Sequence, residues 1–590
     1  MARTIRSCSP IMFRKVFFGL FLLMFLSLCL VFSGFDRAGV GASLSGPIRN
    51  LSTGLEYTTI QQAIDARETL DGHTIFVGEG TYYENVTVNK SLSLVGENES
   101  TTIIDGNYTE NPVLITASHV NMTGFTFQKA TILDSYMEAH GLQSYAIRVG
   151  AGAAYNNIRH NIITDNPRFG IIVNESTHNM ISDDLFVENS WSDLTLHSSS
   201  SNIVFNNTFR NMNLTPHGEG IGVVNSTDNE FYDNHILNKA LGIVLDSSDR
   251  NRFYANNMTD NLSGFYMFGS SASDYNNSID MTNLVDSKHI YCLQGARGVV
   301  LDSQLDATTV YLIDCDNVTV KDLVLGGNGV GLLLWGTNAT RIENMTATSN
   351  LRAISIENCA NVTVRRCNIG NNRDGVFLNS TLECEISQNN IETNGVYGLT
   401  LMNSSHITID DNNITGNHLD GIMIDHGYRN SITDNLIEGN GAGVGLQVAF
   451  GNMFYHNSFI HNDPFGQVEG DEGSYCSWDN GLEGNFWSDY TGIDANRDGI
   501  GDTPYTIHCG WDNVDHYPLL TPYSYWGNPI EGDFNRDMKV NMIDVASAAS
   551  RVGSRPGDPK WNPHVDLNGD GVIDITDALK IANLFGNHYP

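Results

Sequence analysis

From about residue 75 onward, apolar positions come in short alternating bursts separated by polar turns. Two successive stretches show the pattern: "GVYGLTLMNSSHITIDDNNITGN" (Gly395–Asn417) and "HLDGIMIDHGYRNSITDNLIEGN" (His418–Asn440). A glycine precedes each burst, at Gly170, Gly220, Gly242, Gly264, Gly331, Gly375, Gly398 and Gly421. Inward pairs follow, such as Ile171 with Val173, Ile243 with Leu245, Val376 with Leu378 and Ile422 with Ile424. Period-two alternation makes half-buried strands, and no helix-length segment lies between them to build a βαβ unit. An asparagine column keeps the same step of 22 or 23 residues, through Asn166, Asn189, Asn211, Asn238, Asn261 and Asn283, and again from Asn328 to Asn462. Asp306 fills the missing slot, and the step before Asn238 is longer. One short strand stacked per repeat predicts a mainly β fold, a parallel β-helix of roughly 17 coils over residues 75–465. Asparagine tolerates left-handed backbone, and stacked amides bond to one another, so this column is structural.

Both ends differ from the repeat. "YTTIQQAIDA" (Tyr57–Ala66) reads as a short amphipathic helix within an N-terminal cap, 43–74. A loop-rich closing segment, 466–522, and a linker, 523–531, lead to a small helical module, 532–590. Arg3, Arg6, Arg14 and Lys15 precede an apolar run, Val16–Phe32, and then small residues. These predict a signal peptide, 1–42, and a secreted or cell-surface protein, with a retained anchor as the alternative. No later apolar run reaches spanning length, so no C-terminal membrane anchor is expected. A net charge of −35 excludes a nucleic-acid partner, whose phosphates need a basic face. Of the cysteines, Cys476 and Cys509 in the loop-rich segment are the best disulfide pair. About nineteen N-x-S/T sequons, among them Asn85, Asn121, Asn317 and Asn361, fit a glycoprotein.

The helical module carries calcium chemistry. A hard cation wants several oxygens, which a loop supplies from positions 1, 3, 5, 9 and 12 with a carbonyl at 7. "DFNRDMKVNMID" offers Asp533, Asn535, Asp537, Lys539 (carbonyl), Asn541 and Asp544. "DLNGDGVIDITD" offers Asp566, Asn568, Asp570, Val572 (carbonyl), Asp574 and Asp577. Each loop runs into a short helix that a glycine ends, Gly553 or Gly586. Two calcium ions are expected here. A third is possible in "DANRDGIGD", where Asp494, Asn496, Asp498 and Asp502 fall at positions 1, 3, 5 and 9.

The helix, "IFVGEGTYYENVTVNKSLSLVGE" and the Asn-rich coils resemble the NosD-type right-handed β-helix family, within the wider group of carbohydrate-binding and sugar-hydrolase β-helices. "GNFWSDYTGIDANRDGIGDTPYTI" with "YPLL" is similar to the segment that closes archaeal members. The paired loops resemble a type I dockerin, which implies a cohesin-type domain as partner. That resemblance gives recognition roles to loop positions 10 and 11, here Met542 with Ile543 and Ile575 with Thr576.

The outward face of the coils offers the remaining chemistry. Arg352, Asp374 and Asp420 lie just before strands, among the rings of Tyr266, Trp335, Phe377 and Tyr397. Rings stack on sugars, and carboxylates bind hydroxyls or act as acid and base. A longer coil holds His217 and Glu219, weaker candidates for proton abstraction. The NosD resemblance raises copper, for which His406, His418, His426, Met402 and Met423 are the nearest set, yet no His or Met column recurs. These features favour a surface protein that binds polysaccharide or a glycoconjugate. Alternatives are a polysaccharide lyase, epimerase or hydrolase, a structural rod or adhesin, and a copper-site assembly factor.

Overall fold

The computed structural model describes residues 46–586, apart from 133–142, 213–214, 497, 510–512, 524–531, 534–539, 557, 559, 562–564 and 569. The expected signal peptide lies outside the described residues. From Thr74 to Trp487 the described chain is a parallel β-helix of short strands, most of them paired in register with the counterpart one coil on. The helix Ile60–Asp65, capped by the Thr59 hydroxyl, buries Ile60, Ala63 and Ile64 at its first coil.

The turns explain the asparagines. Asn156, Asn179, Asn202, Asn229, Asn251 and Asn277 form one ladder, in which each Oδ1 accepts from the backbone N–H and Nδ2 of the preceding member. A second ladder runs from Asn161 through Asp184 and Asn207 to Asn283. A third runs from Asn328 to Asn462. The residue before many ladder positions has positive φ, for example Glu188 at +55° and Thr393 at +53°. The single column expected from sequence therefore needs correcting. Asn283 belongs to another ladder, Asp306 is exposed, and the slot assigned to Asn238 is filled by Lys239, with Asn238 as the left-handed residue beside it. Lys239 is fully buried and reaches Asp193 at 2.6 Å and Asn211 at 2.8 Å, so an ammonium replaces an amide in this slot.

Cysteines occupy turn positions too. Cys315, Thr337 and Cys359 continue a hydroxyl or thiol ladder like that of Ser176, Ser199 and Ser226. Cys476 stands next to Asn452 in an amide ladder, its sulfur accepting from Nδ2 at 3.8 Å. The expected Cys476–Cys509 disulfide is absent: both are buried free thiols, and Cys476 is committed to its ladder.

The β-helix is not uniform. The long strands form one sheet from Val86–Val88 to Ser263–Phe268 and a second from Lys288–Gln294 to Gly466–Gly470. Between them Leu284–Val285 turns back on Lys288–Gln294 through Asp286 and Ser287, with φ +48° and +68°. Positive φ at both central residues is the two-residue hairpin geometry. The chain is thus two stacked modules meeting at a seam. At the seam the outward side chains of Tyr311, Leu333 and Trp335 pack into the core of the first module instead of facing water.

Candidate functional site

The seam gives the second long-strand sheet a wall. Register places Val330, Arg352 and Asp374 in one outward column, and the Gly375 amide donates to the Tyr397 carbonyl in the next coil. Asp420 continues the face opposite Ala442. The neighbouring column holds Ser355, Phe377, Thr400, Met423, Gly445 and Glu469. Tyr266, from the last coil of the first module, lies against Gly329, where a Cβ would stand 2.1 Å from its ring. The Tyr266 ring closes one end of the face, and burial raises its phenol.

Within this corner Arg352 is the organising cation. Its guanidinium sits 3.7 Å from the centroid of Phe377 and donates to Ser355 at 3.2 Å, with Glu357 at 3.7 Å. Arg373 lies 3.5 Å from Asp374. Burial pushes the Asp374 carboxyl up, opposed by Arg373 and Arg352. Burial and the adjoining Glu469 push Asp420 up to about 7. Burial, Asp420 and Asp374 raise the Tyr397 phenol to about 12. The structure thus brings Tyr266, Arg352, Asp374, Phe377, Tyr397 and Asp420 together. Trp335 belongs elsewhere: it is 5% exposed and stacks at 4.4 Å on Tyr275, so its ring is packed into the seam. Sequence reasoning missed Glu469, because Gly466–Gly470 follows the last clear repeat, and missed Tyr275, which lies in a short 3-10 turn outside it.

His217 and Glu219 sit in the first module. His217 Nε2 is 3.5 Å from Glu188, and its carbonyl accepts from Asn211. Glu219 lies over Gly222, and burial followed by Asp246 pushes it up to about 7.

The second loop of the helical module has the turn and hydrogen bonds of a calcium loop, although its carboxylates do not converge on one point. In the second, Asp566 accepts from the amides of Asp570 (3.1 Å) and Gly571 (2.8 Å), Asn568 from Asp570 and Asp570 from Val572. Gly571 has φ +80°. Asp574 caps the helix Ile575–Leu584, and bonds from Thr576 hold its carboxyl below the usual range. Asp577 is fully buried and accepts from Asn568 and Asp574. A buried carboxylate is costly, and a divalent ion held by this loop would offset its desolvation. In the first loop Asp533 and Asp544 are buried and Asn541 caps Met542–Arg551, while Asn535, Asp537 and Lys539 lie outside the described residues. The two halves exchange backbone bonds: Gly553 donates to Ile573 at 2.7 Å and Gly586 to Val540 at 2.8 Å. Met542 and Ile575 are each 67% exposed on the first helical turn, beside exposed Ile543 and Thr576. The Asp494 loop repeats the bonding atom for atom: Asp494 accepts from Asp498 and Gly499, Asn496 from Asp498 and Asp498 from Ile500, while Asp502 accepts from Ala495. Its position 12 is Tyr505, which bonds to Asp489.

A parallel β-helix with a helical calcium-loop module is therefore the class of protein these features define. The chain belongs to the family described as "Periplasmic copper-binding protein (NosD)", whose model matches residues 65–291 and 282–492. Those matches meet at the seam. Residues 531–586 match the type I dockerin domain, a class that binds calcium and docks on cohesin partners. A "Cell surface glycoprotein" of Methanothermus fervidus is 40% identical over 86 residues, 14% of this chain and 14% of that protein. Among solved structures, the mannuronan C-5 epimerase AlgE6 A-module of Azotobacter vinelandii shares 15% identity, covering 71% of this chain and 94% of its own, with a TM-score of 0.22. A GH87 alpha-1,3-glucanase catalytic unit from Streptomyces thermodiastaticus shares 14%, covering 70% of each chain, with a TM-score of 0.31. Neither bears on activity.

The family description names copper, whose nearest candidate ligands here lie apart. His406 meets Tyr428 edge-on in a turn, His426 binds Asp425 at 2.5 Å, and His418 is exposed in a different turn. Met402 and Met423 stand in separate outward columns. No group of three or more His, Cys, Asp or Glu side chains converges as metal ligands among the described residues. These residues do not fit a copper ion.

Proposed function

We propose that this is a secreted surface protein that binds polysaccharide at the Tyr266–Asp420 corner and is held to a cohesin-bearing partner by its dockerin with two calcium ions. The Asp494 loop takes a third. The carrying observation is Arg352, fixed by Phe377, Ser355 and Glu357 beside Tyr397 and Asp374. Such a corner offers an aromatic edge, fixed donors and carboxylate acceptors to sugar hydroxyls. A glycan array with the full chain, with and without calcium, tests it. Binding that Phe377→Leu and Tyr397→Ala weaken is expected; silence on every glycan overturns the reading.

One observation favours a catalytic second reading, a lyase, epimerase or hydrolase. Asp420, beside Glu469, holds its proton to about 7, where a general acid or base is most effective. Product analysis on any bound glycan separates the two, because a pure binder leaves its ligand intact.

A further inference from the structure

A different face of the second module carries a shallow, open polar groove, lined by Arg366, Gln388, Asn390, Glu392, Asp411 and Asn413. It lies where the strands Asn368–Gly370, Asn390–Glu392 and Asn413–Thr415 stack in register. Asn413 Nδ2 donates to Asn390 Oδ1 at 2.7 Å, and Asn390 Nδ2 to Asn368 Oδ1 at 3.0 Å. These amides lie on the outer face, unlike the buried turn ladders. Asn390 uses one donor and one lone pair along the ladder, Asn413 one donor and Asn368 one lone pair, which leaves donors and acceptors over. Asn413 Oδ1 is buried without a hydrogen-bond partner. The amide run is finite, since Thr346 precedes it and Leu436 follows it in the same column. Alongside, Gln388 donates to Asp411 at 3.3 Å.

We propose that this groove binds an uncharged, hydroxyl-rich glycan chain lying along the coil axis. No ring or aliphatic side chain lines it, so an apolar peptide finds no anchor. Glu392 and Asp411 repel an anionic polymer, and Arg366 is 3.6 Å from Glu343 already. The guanidinium in turn disfavours a cation. Hydroxyls remain, because they both donate and accept and match amides and carboxylates equally well. Successive amides are about 4.8 Å apart, the strand spacing, which is close to the length of one pyranose unit. None of these residues belongs to the Tyr266–Asp420 corner, so the two sites hold or fail separately.

The test is calorimetric titration of the full-length chain with maltohexaose, cellohexaose and mannohexaose, and with hexagalacturonate as the acidic arm. At least one neutral hexamer should bind. The Asn390→Ala, Asn413→Ala double variant should lose about tenfold or more in affinity, as expected for two hydrogen-bonding side chains, while Phe377→Leu keeps it. Hydrogen exchange on the unmodified protein gives a second readout: the bound hexamer should protect residues 390–392 and 413–415. No neutral binding, affinity that survives the double variant, tighter binding of hexagalacturonate, or no protection there overturns the proposal.

Discussion

The Arg352 guanidinium lies 3.7 Å from the centroid of the Phe377 ring one coil on, in a part-buried corner. A desolvated cation–π contact is worth about 1–2 kcal/mol. Phe377→Leu should lower stability by about that much and weaken glycan binding by releasing the guanidinium. Thermal melts and a binding titration on the same variant check both.

Gly329 admits the Tyr266 ring where any side chain would overlap it. Gly329→Ala should loosen the seam at a cost of about 1–3 kcal/mol, the usual range for overpacking. Adding Tyr266→Ala should recover part of the loss, since the clash is pairwise. Limited proteolysis near residues 270–290 would report the opening; identical digestion of the single variant and wild type would contradict the packing.

Lys239 and Asp193 are both fully buried, 2.6 Å apart. Lys239→Met leaves the buried Asp193 charge with the Asn189 amide but no cation and should cost about 3–5 kcal/mol. Joint Lys239→Asn, Asp193→Asn replacement should cost much less, because no charge is then buried. Denaturant unfolding of the two variants makes the comparison.

Asp184 occupies an asparagine slot, and its Oδ2 is buried without a partner. Burial raises its carboxyl well above 3.8. The folded state therefore holds the proton more tightly than the unfolded state. Its stability contribution is complete below about 3.8 and is lost as pH rises through the raised value. Asp184→Asn should remove that loss. The variant should melt increasingly above wild type as pH goes from acid to neutral, and equal melting temperatures at pH 8 would refute the assignment.

Asp544 and Asp577 are fully buried carboxylates in the dockerin. Calcium removal should melt its two helices while leaving the β-helix intact. Circular dichroism with a chelator should show helical signal lost and strand signal kept, and Asp566→Ala should raise the calcium needed for recovery.

Much of this was legible without coordinates. The alternation of Ile422 with Ile424 and the 22- or 23-residue spacing dictate stacked parallel strands, because period two and a fixed repeat admit little else. The spacing of Asp566, Asn568, Asp570, Asp574 and Asp577 is local, so a linear reading finds it. The seam was not legible. Asp286 and Ser287 make a hairpin without the usual Asn-Gly signature, and a repeat template bridged the gap with Asp306. Lys239 escaped because an ion pair, rather than an amide, fills its slot.

The sequence by itself determined the repeating strand, the ladder from Asn328 to Asn462 and the spacing of the calcium loops, since each is set by spacing along the chain. Only tertiary structure decided which outward residues form a site. It buried Trp335 under Tyr275, brought Tyr266 from one module to Arg352 of the other, and set Glu469 beside Asp420. Those meetings depend on how two stacks of coils are offset, and side chains far apart in sequence carry no local signal of that offset.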